Sequence, residues 1–272
     1  MYKAFTGGIF FEKIIRQNKK SKGCGVGCCP RCAHGGDILD YQQPSGSRCR
    51  RKLPIYCVQR DDKTVALSFD AAWGNEDTQE LIDILNKYNI NATFFVVGQW
   101  VDKYPESVKA LHDAGNEVMS HSDDHAHFAQ LSADEIKSNI AASNEKIKKI
   151  TGTEPTLFRC PYGEYNDTVI STVNSMGMSA IQWDVDSLDW KGISASDISD
   201  RVLKNVKSGS IVLFHNAAEN TPEALPGIIE GLIADGYKIV PVSQILLTGD
   251  YTIDNTGMQC QAKQSSDAKA DA

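Results

Sequence analysis

The sequence predicts an α/β domain over residues 64–248, in which a parallel β-sheet is wrapped by helices. Three observations predict it. Seven short runs rich in β-branched and aromatic residues alternate with longer amphipathic segments throughout this stretch. Those segments run to about 10–18 residues, the length that a crossover between parallel strands needs. A composition of 41% hydrophobic, 23% charged and 8% aromatic residues is that of a globular protein and excludes collagen-like, coiled-coil and wholly disordered chains. Whether the sheet is open or closed into a barrel is left undecided by these patterns.

Taken in order, Val65–Phe69 is the first strand, and Thr78 opens a helix to about Tyr88. Ala92–Val97 is the second; Pro105 then occupies a first-turn position and Gly115 closes the helix behind it. Glu117–Ser120 is the third. Ser132 and Glu135 read as a capping box before Ile136, Ile140, Ile147 and Ile150, with Gly152 past the stop. Thr156–Phe158 is the fourth strand, followed by a helix capped by Asn166 and ending before Gly177. Met178–Trp183 is the fifth, with Ser196 capping a helix through Val206. Ile211–Phe214 is the sixth, Pro222 starts the last helix, which ends near Gly236, and Lys238–Val240 is the seventh strand. The domain is thereby bounded at 61–249, between an extension (1–60) rich in Cys, Gly and basic residues and a polar tail (250–272), both expected to be poorly ordered.

Charge and hydropathy exclude two partner classes. With 28 Lys and Arg against 35 Asp and Glu, a net charge of −7 gives no general attraction to a phosphate backbone. No run reaches the ~18 apolar residues of a membrane helix, and Ala4–Phe11 is too short and glycine-broken for an export signal. Of eight cysteines, six fall within the first 57 residues. Among them Cys24, Cys28, Cys29 and Cys32, with His34 nearby, contain a CPRC knuckle that admits structural zinc, disulfides if exported, or free thiols. Gly23, Gly25 and Gly27 follow no strand, so they do not read as a phosphate loop.

Asp70, His121, Arg159, Asp184 and His215 follow the first, third, fourth, fifth and sixth strands. In parallel α/β architectures that C-terminal rim is where sites assemble. Charged residues can also simply mark strand ends, yet two of only six histidines landing there favours a site. His121 and His125, four apart in SHSDDHAHF, can bring two imidazoles to one cation; the bland alternative is a polar surface loop. His127 is left without a role. Asp70 suits a general base, against the alternative of a turn cap, and His215, leaving an apolar strand, suits a proton donor, against a satisfied core histidine.

The motifs SFDAAWG (68–74), HSDDH (121–125), RCPYG (159–163), DVDSLDW (184–190) and LFH (213–215), in this order, resemble those of the polysaccharide deacetylases, the NodB-homology domains of carbohydrate esterase family 4. The resemblance implies a distorted, incomplete (β/α) barrel of about seven strands and a metal-dependent hydrolase that removes acetyl groups from N-acetylated amino-sugar polysaccharides. It implies Asp70 as base, His121 and His125 as metal ligands, His215 as acid, Arg159 orienting the base and Asp189 tuning the acid. Tyr162 would hold the oxyanion through its backbone N–H, and Trp190 and Leu213 would wall the acetyl methyl. Zinc is the expected metal, with cobalt or manganese as alternatives, and peptidoglycan the favoured substrate, chitin-like oligomers the next.

Two positions depart from the family pattern. Ala71 stands where a second aspartate usually ligates the metal, as in a sporulation- and cell-wall-associated branch with a similar FDAAWG stretch; this puts metal affinity and identity in question. Cys160 stands between Arg159 and Pro161, where its thiolate is one candidate replacement ligand and a packed thiol the other. The rival functions are a catalytically silent carbohydrate-binding domain and, more distantly, a deacylase of another amide. The resemblance also implies a location outside the cytoplasm, at odds with the unreadable export signal.

Overall fold

The computed structural model describes residues 51–262. The chain enters through β1 (Cys57–Val58) and β2 (Thr64–Ala71), then α1 (Thr78–Lys87), β3 (Thr93–Val96), α2 (Gly98–Lys103), α3 (Pro105–Asp113) and β4 (Glu117–Ser120). There follow α4 (Ala133–Thr151), β5 (Leu157–Phe158), α5 (Asp167–Ser175), β6 (Ser179–Ala180), β7 (Val185–Asp186), α6 (Ala195–Asn205) and β8 (Ile211–His215). The remainder is α7 (Thr221–Ala234), β9 (Lys238–Val240), α8 (Val242–Ile245), β10 (Tyr251–Ile253) and β11 (Met258–Gln261).

Eight strands form one sheet in the order β6-β5-β4-β3-β2-β8-β7, with β9 added beside the first half of β2. Every pairing in it is parallel. This is the incomplete (β/α) barrel that the sequence implies, with β6 and β7 the outermost strands of the sheet. The expected fifth strand, Met178–Trp183, is broken: β6 lies at one edge, and the chain crosses to pair β7 with β8 at the other. The helix signals hold with one shift. Ser132 and Glu135 complete the capping box of α4, Gly152 takes the left-handed conformation at its end and Asn166 caps α5, but α6 is capped by Ser194 rather than Ser196.

Alternation along β2 sorts its side chains between two faces. Val65, Leu67, Phe69 and Ala71 pack outward against the helices, while Ala66 belongs to a second apolar cluster with Phe95, Met119, Ile211 and Val240. That second cluster is completed by Ile55 and Val58.

Segments on both sides of the expected 61–249 domain pair with this fold. Ile55 bridges to Ile181, and Cys57 to Ser210. β1 pairs in parallel with β11, which itself pairs antiparallel with β10. Asp254 closes the β10–β11 turn by accepting from the N–H groups of Thr256 and Met258 at 2.8 and 3.0 Å. These segments are too short to display a period of their own; Cys57, Val58 and Gln259 are buried between them and the barrel, while β10 stays largely exposed. Cys24, Cys28, Cys29, Cys32 and His34, and the rest of the expected extension and tail, lie outside the described residues.

Gly209 fixes the β1 contact. Its φ is +85°, and a Cβ would stand 1.7 Å from the Val58 carbonyl oxygen. Gly152 is also left-handed but faces open space. Replacing Gly209 by alanine is expected to destabilise the fold by at least about 2 kcal/mol, against about 1 kcal/mol for Gly152→Ala. Urea denaturation of both variants checks the difference.

Candidate active site

Parallel register brings the polar residues to one mouth. Asp70, near the end of β2, is paired with Phe95 on one side and His215 on the other, so that carboxylate and imidazole face the same way from adjacent strands. His121 directly follows β4 and donates its backbone N–H to the Val96 carbonyl at 3.0 Å. Arg159 directly follows β5 and donates likewise to Ser120 at 3.0 Å. Asp189 lies in a 3-10 turn beyond β7.

The Arg159 side chain is fully buried. Nη1 donates to Asp70 Oδ1 at 2.8 Å, and Nη2 donates to Ser68 Oγ at 2.8 Å and to the Gln182 carbonyl at 3.2 Å. Its Cζ lies over the Phe95 ring, 4.1 Å from the ring centre. Burial pushes the Asp70 carboxyl up, but the charge of Arg159, followed by His121 and His215, holds it below the usual carboxylate range. Asp70 is thus ionised at neutral pH although only 5% exposed.

The two imidazoles expected to hold a metal do converge. His121 Nε2 is 3.5 Å from Asp70 Oδ2, while its Nδ1 lies 2.9 Å from the Arg159 carbonyl. That carbonyl can only accept, so Nδ1 carries the proton and Nε2 presents its lone pair. His125 has its ring centre 5.0 Å from that of His121. It adopts a φ of +58° in a loop where Ser122 Oγ accepts its N–H at 2.9 Å. Burial, and then the neighbouring His121, push His125 down to about 4, so it too is neutral. Two neutral imidazoles beside a carboxylate form a donor set suited to a divalent cation. Ala71 adds nothing, its methyl being buried in the outer core. Among the described residues no group of three or more His, Cys, Asp or Glu side chains is gathered to enclose an ion. Cys160 is no substitute either: it packs with Phe158 and Val169, and burial pushes its thiol up to about 12, far from a thiolate.

On the other side, Asp189 Oδ1 accepts from His215 Nδ1 at 2.8 Å, and Oδ2 accepts from the His215 N–H and from Thr221 Oγ1, each at 2.8 Å. Burial alone depresses the imidazole, but the hydrogen bond and charge of Asp189 outweigh it and hold His215 above its ordinary range. A cleft of about 380 Å³ opens beside it, lined by Trp73, Trp190, Ala217 and Glu219.

Three expected participants occupy varied positions. Tyr162 has a φ of +58°, and the bonds of its turn run from Gly163 to Cys160 and from Glu164 to Pro161, which leaves its own N–H outside them. Its ring lies 4.4 Å from His125 and stacks on His127, which is in turn 2.9 Å from Glu164. Trp190 is half exposed in the cleft, and Leu213 is buried on β8 opposite Ser68. Asp184 does not join the mouth. It accepts from Ser210 Oγ and the Ile211 N–H, each at 2.9 Å, at the opposite end of β8, because the broken fifth strand ends before it.

Sequence reasoning missed Asn216. Buried behind His215, it accepts from the Ala72 N–H at 3.2 Å and donates to the carbonyls of Trp73 and Gly74 at 3.0 and 2.5 Å. Ser68 and Thr221, which complete the shells of Arg159 and Asp189, were missed as well; hydroxyl residues give no signal of their own until the strands are paired.

A polysaccharide deacetylase family model matches residues 58–181. The peptidoglycan-N-acetylmuramic acid deacetylase PdaC of Bacillus subtilis is 38% identical over 188 residues, 69% of this chain and 40% of that protein. The chain thus spans well under two thirds of PdaC. A peptidoglycan-N-acetylglucosamine deacetylase of Bacillus cereus is 34% identical over 194 residues, 70% of this chain and 91% of that protein. Among solved structures, a CE4 family pseudoenzyme from Bacillus anthracis aligns with a TM-score of 0.68 at 34% identity, covering 71% of this chain and 68% of that one. A mutant of that pseudoenzyme with restored enzymatic activity aligns with the same TM-score.

The Arg159–Asp70 pair has a measurable signature in stability. Arg159→Met, which leaves a buried carboxylate uncompensated, is expected to cost about 3–5 kcal/mol. Adding Asp70→Asn should recover about 1–3 kcal/mol of that loss, so a denaturation double-mutant cycle tests the coupling.

Proposed function

Because this chain belongs to the polysaccharide deacetylase family, we propose that it hydrolyses N-acetyl groups from an amino-sugar polysaccharide, peptidoglycan in the first place. One observation carries the reading. Asp70 and His215 project from the same face of paired strands, the first held below the usual carboxylate range by Arg159 and the second raised above the ordinary imidazole range by Asp189. A base and an acid on either side of one bond is what amide hydrolysis requires, and a module that only binds sugar has no use for it.

His121 and His125 would hold a divalent cation, zinc first and cobalt or manganese as alternatives. When bound, such an ion polarises an acetyl carbonyl and lowers the pKa of water. Asp70 takes the proton of the attacking water. The Tyr162 N–H donates to the carbonyl oxygen as negative charge develops there. Trp190 and Leu213 form an apolar wall against the acetyl methyl. His215, bound through Nδ1 to Asp189, gives the proton on Nε2 to the amine nitrogen as the C–N bond breaks. Water is thus added across the bond, yielding acetate and a free amine. A peptidoglycan substrate puts the working protein on the outer side of the membrane.

A second reading, a catalytically silent carbohydrate-binding domain, is favoured by one feature, the core placement of Ala71, which leaves two imidazoles as the protein's ligands. Acetate release from N-acetylglucosamine oligomers and from peptidoglycan, with and without added Zn²⁺ or Co²⁺, separates the two. Wild type should release acetate and Asp70→Asn should be slower by about 10²- to 10⁴-fold. Equal release by both proteins removes Asp70 as the base; sugar binding with no acetate from either establishes the silent domain.

The pH profile carries a sign. His215 acts only when protonated, so kcat/KM falls as pH rises through its elevated pKa. Asp189→Asn removes what elevates it, and the alkaline limb should move to lower pH by about 1–3 units.

A further inference from the structure

Trp73 takes no part in the chemistry just described, yet among the described residues it has the highest exposure of the large apolar side chains, at 59%. An exposed indole ordinarily marks a mobile surface or a binding surface. The backbone here is anything but loose. Asn216 holds Ala72, Trp73 and Gly74 through three hydrogen bonds, and Trp100 Nε1 donates to the Gly74 carbonyl at 2.7 Å. A Cβ on Gly74 would meet Ala217 at 3.2 Å, so the loop is also closely packed. A buried amide and a buried indole N–H are committed to a segment whose own side chain is left in solvent.

The location of that side chain is specific. Its ring centre lies 5.6 Å from that of His125. It also lines the cleft of about 380 Å³ that holds His215 and Trp190. Trp73 therefore spans the two halves of the site, the imidazole pair on one flank and the proton donor on the other. Pyranose rings present a face of C–H groups, which an indole face attracts through its quadrupole and by burying apolar area. Rigid presentation lowers the ordering cost of such a contact.

We propose that Trp73 is a carbohydrate-stacking residue: its indole receives the face of an N-acetylated pyranose and so sets the acetamido group between Asp70 and His215. This deepens the deacetylase reading and rests on it. The test uses fully N-acetylated chitotetraose as probe, on the whole chain. In turnover, Trp73→Ala should raise KM about tenfold with a smaller change in kcat, and Trp73→Phe should recover most of the loss. In calorimetry on the Asp70→Asn background, where turnover is not needed, Trp73→Ala should weaken tetraose binding about tenfold. Equal affinity with and without the indole overturns the proposal even if acetate release falls, and so does an Asp70→Asn protein that binds no tetraose. Should wild type release no acetate while the indole still governs binding, stacking stands and the deacetylase reading falls instead.

Discussion

A guanidinium with no exposed surface sits between β2 and β5, and the polar groups of the site are arranged around it. Bringing Arg159 out of water is costly unless its donors are met, and here Asp70, Ser68 and the Gln182 carbonyl meet those of Nη1 and Nη2 while Phe95 lies against its face; Nε is buried without a partner. The same pairing determines the protonation of Asp70. Burial pushes that carboxyl toward its neutral form, and the positive charge of Arg159 is the largest influence that opposes it. Even the His121 tautomer depends on this residue, since the Arg159 carbonyl receives Nδ1.

Much of this could be read in the chain before any strand was paired. Most strands of the α/β alternation fall within a residue or two of their sequence-based bounds, and the capping box of α4 lies where Ser132 and Glu135 put it. Residues that follow strand ends converge because parallel strands share a direction; Asp70, His121, Arg159 and His215 gather on that ground alone. Asp184 shows where the logic stops. A continuous run, Met178–Trp183, is shared between an edge strand and a crossover, and nothing in a period-2 pattern says which end of the sheet the next residue faces. β1 and β11 escaped notice for a related reason, since a two-residue strand has no period, only a distant partner.

Ala71 separates structural role from chemical role. Strand alternation turns its side chain away from Asp70 into the layer beneath the helices, where a methyl packs well. The inner face loses nothing structurally by the exchange, and Asp70 and His215 are unaffected because their partners come from β5 and the turn after β7. The fold keeps Asp70 and His215 in place with alanine at position 71, and it resembles both deacetylases and a pseudoenzyme.

The pairing of β1 with β11 sets residues 57 and 258 side by side. Entry and exit of the polypeptide are thereby neighbours, like the two ends of a clasp. A unit so closed can be threaded into a longer protein at any tolerant loop, or hung beside other modules, without prying its barrel apart.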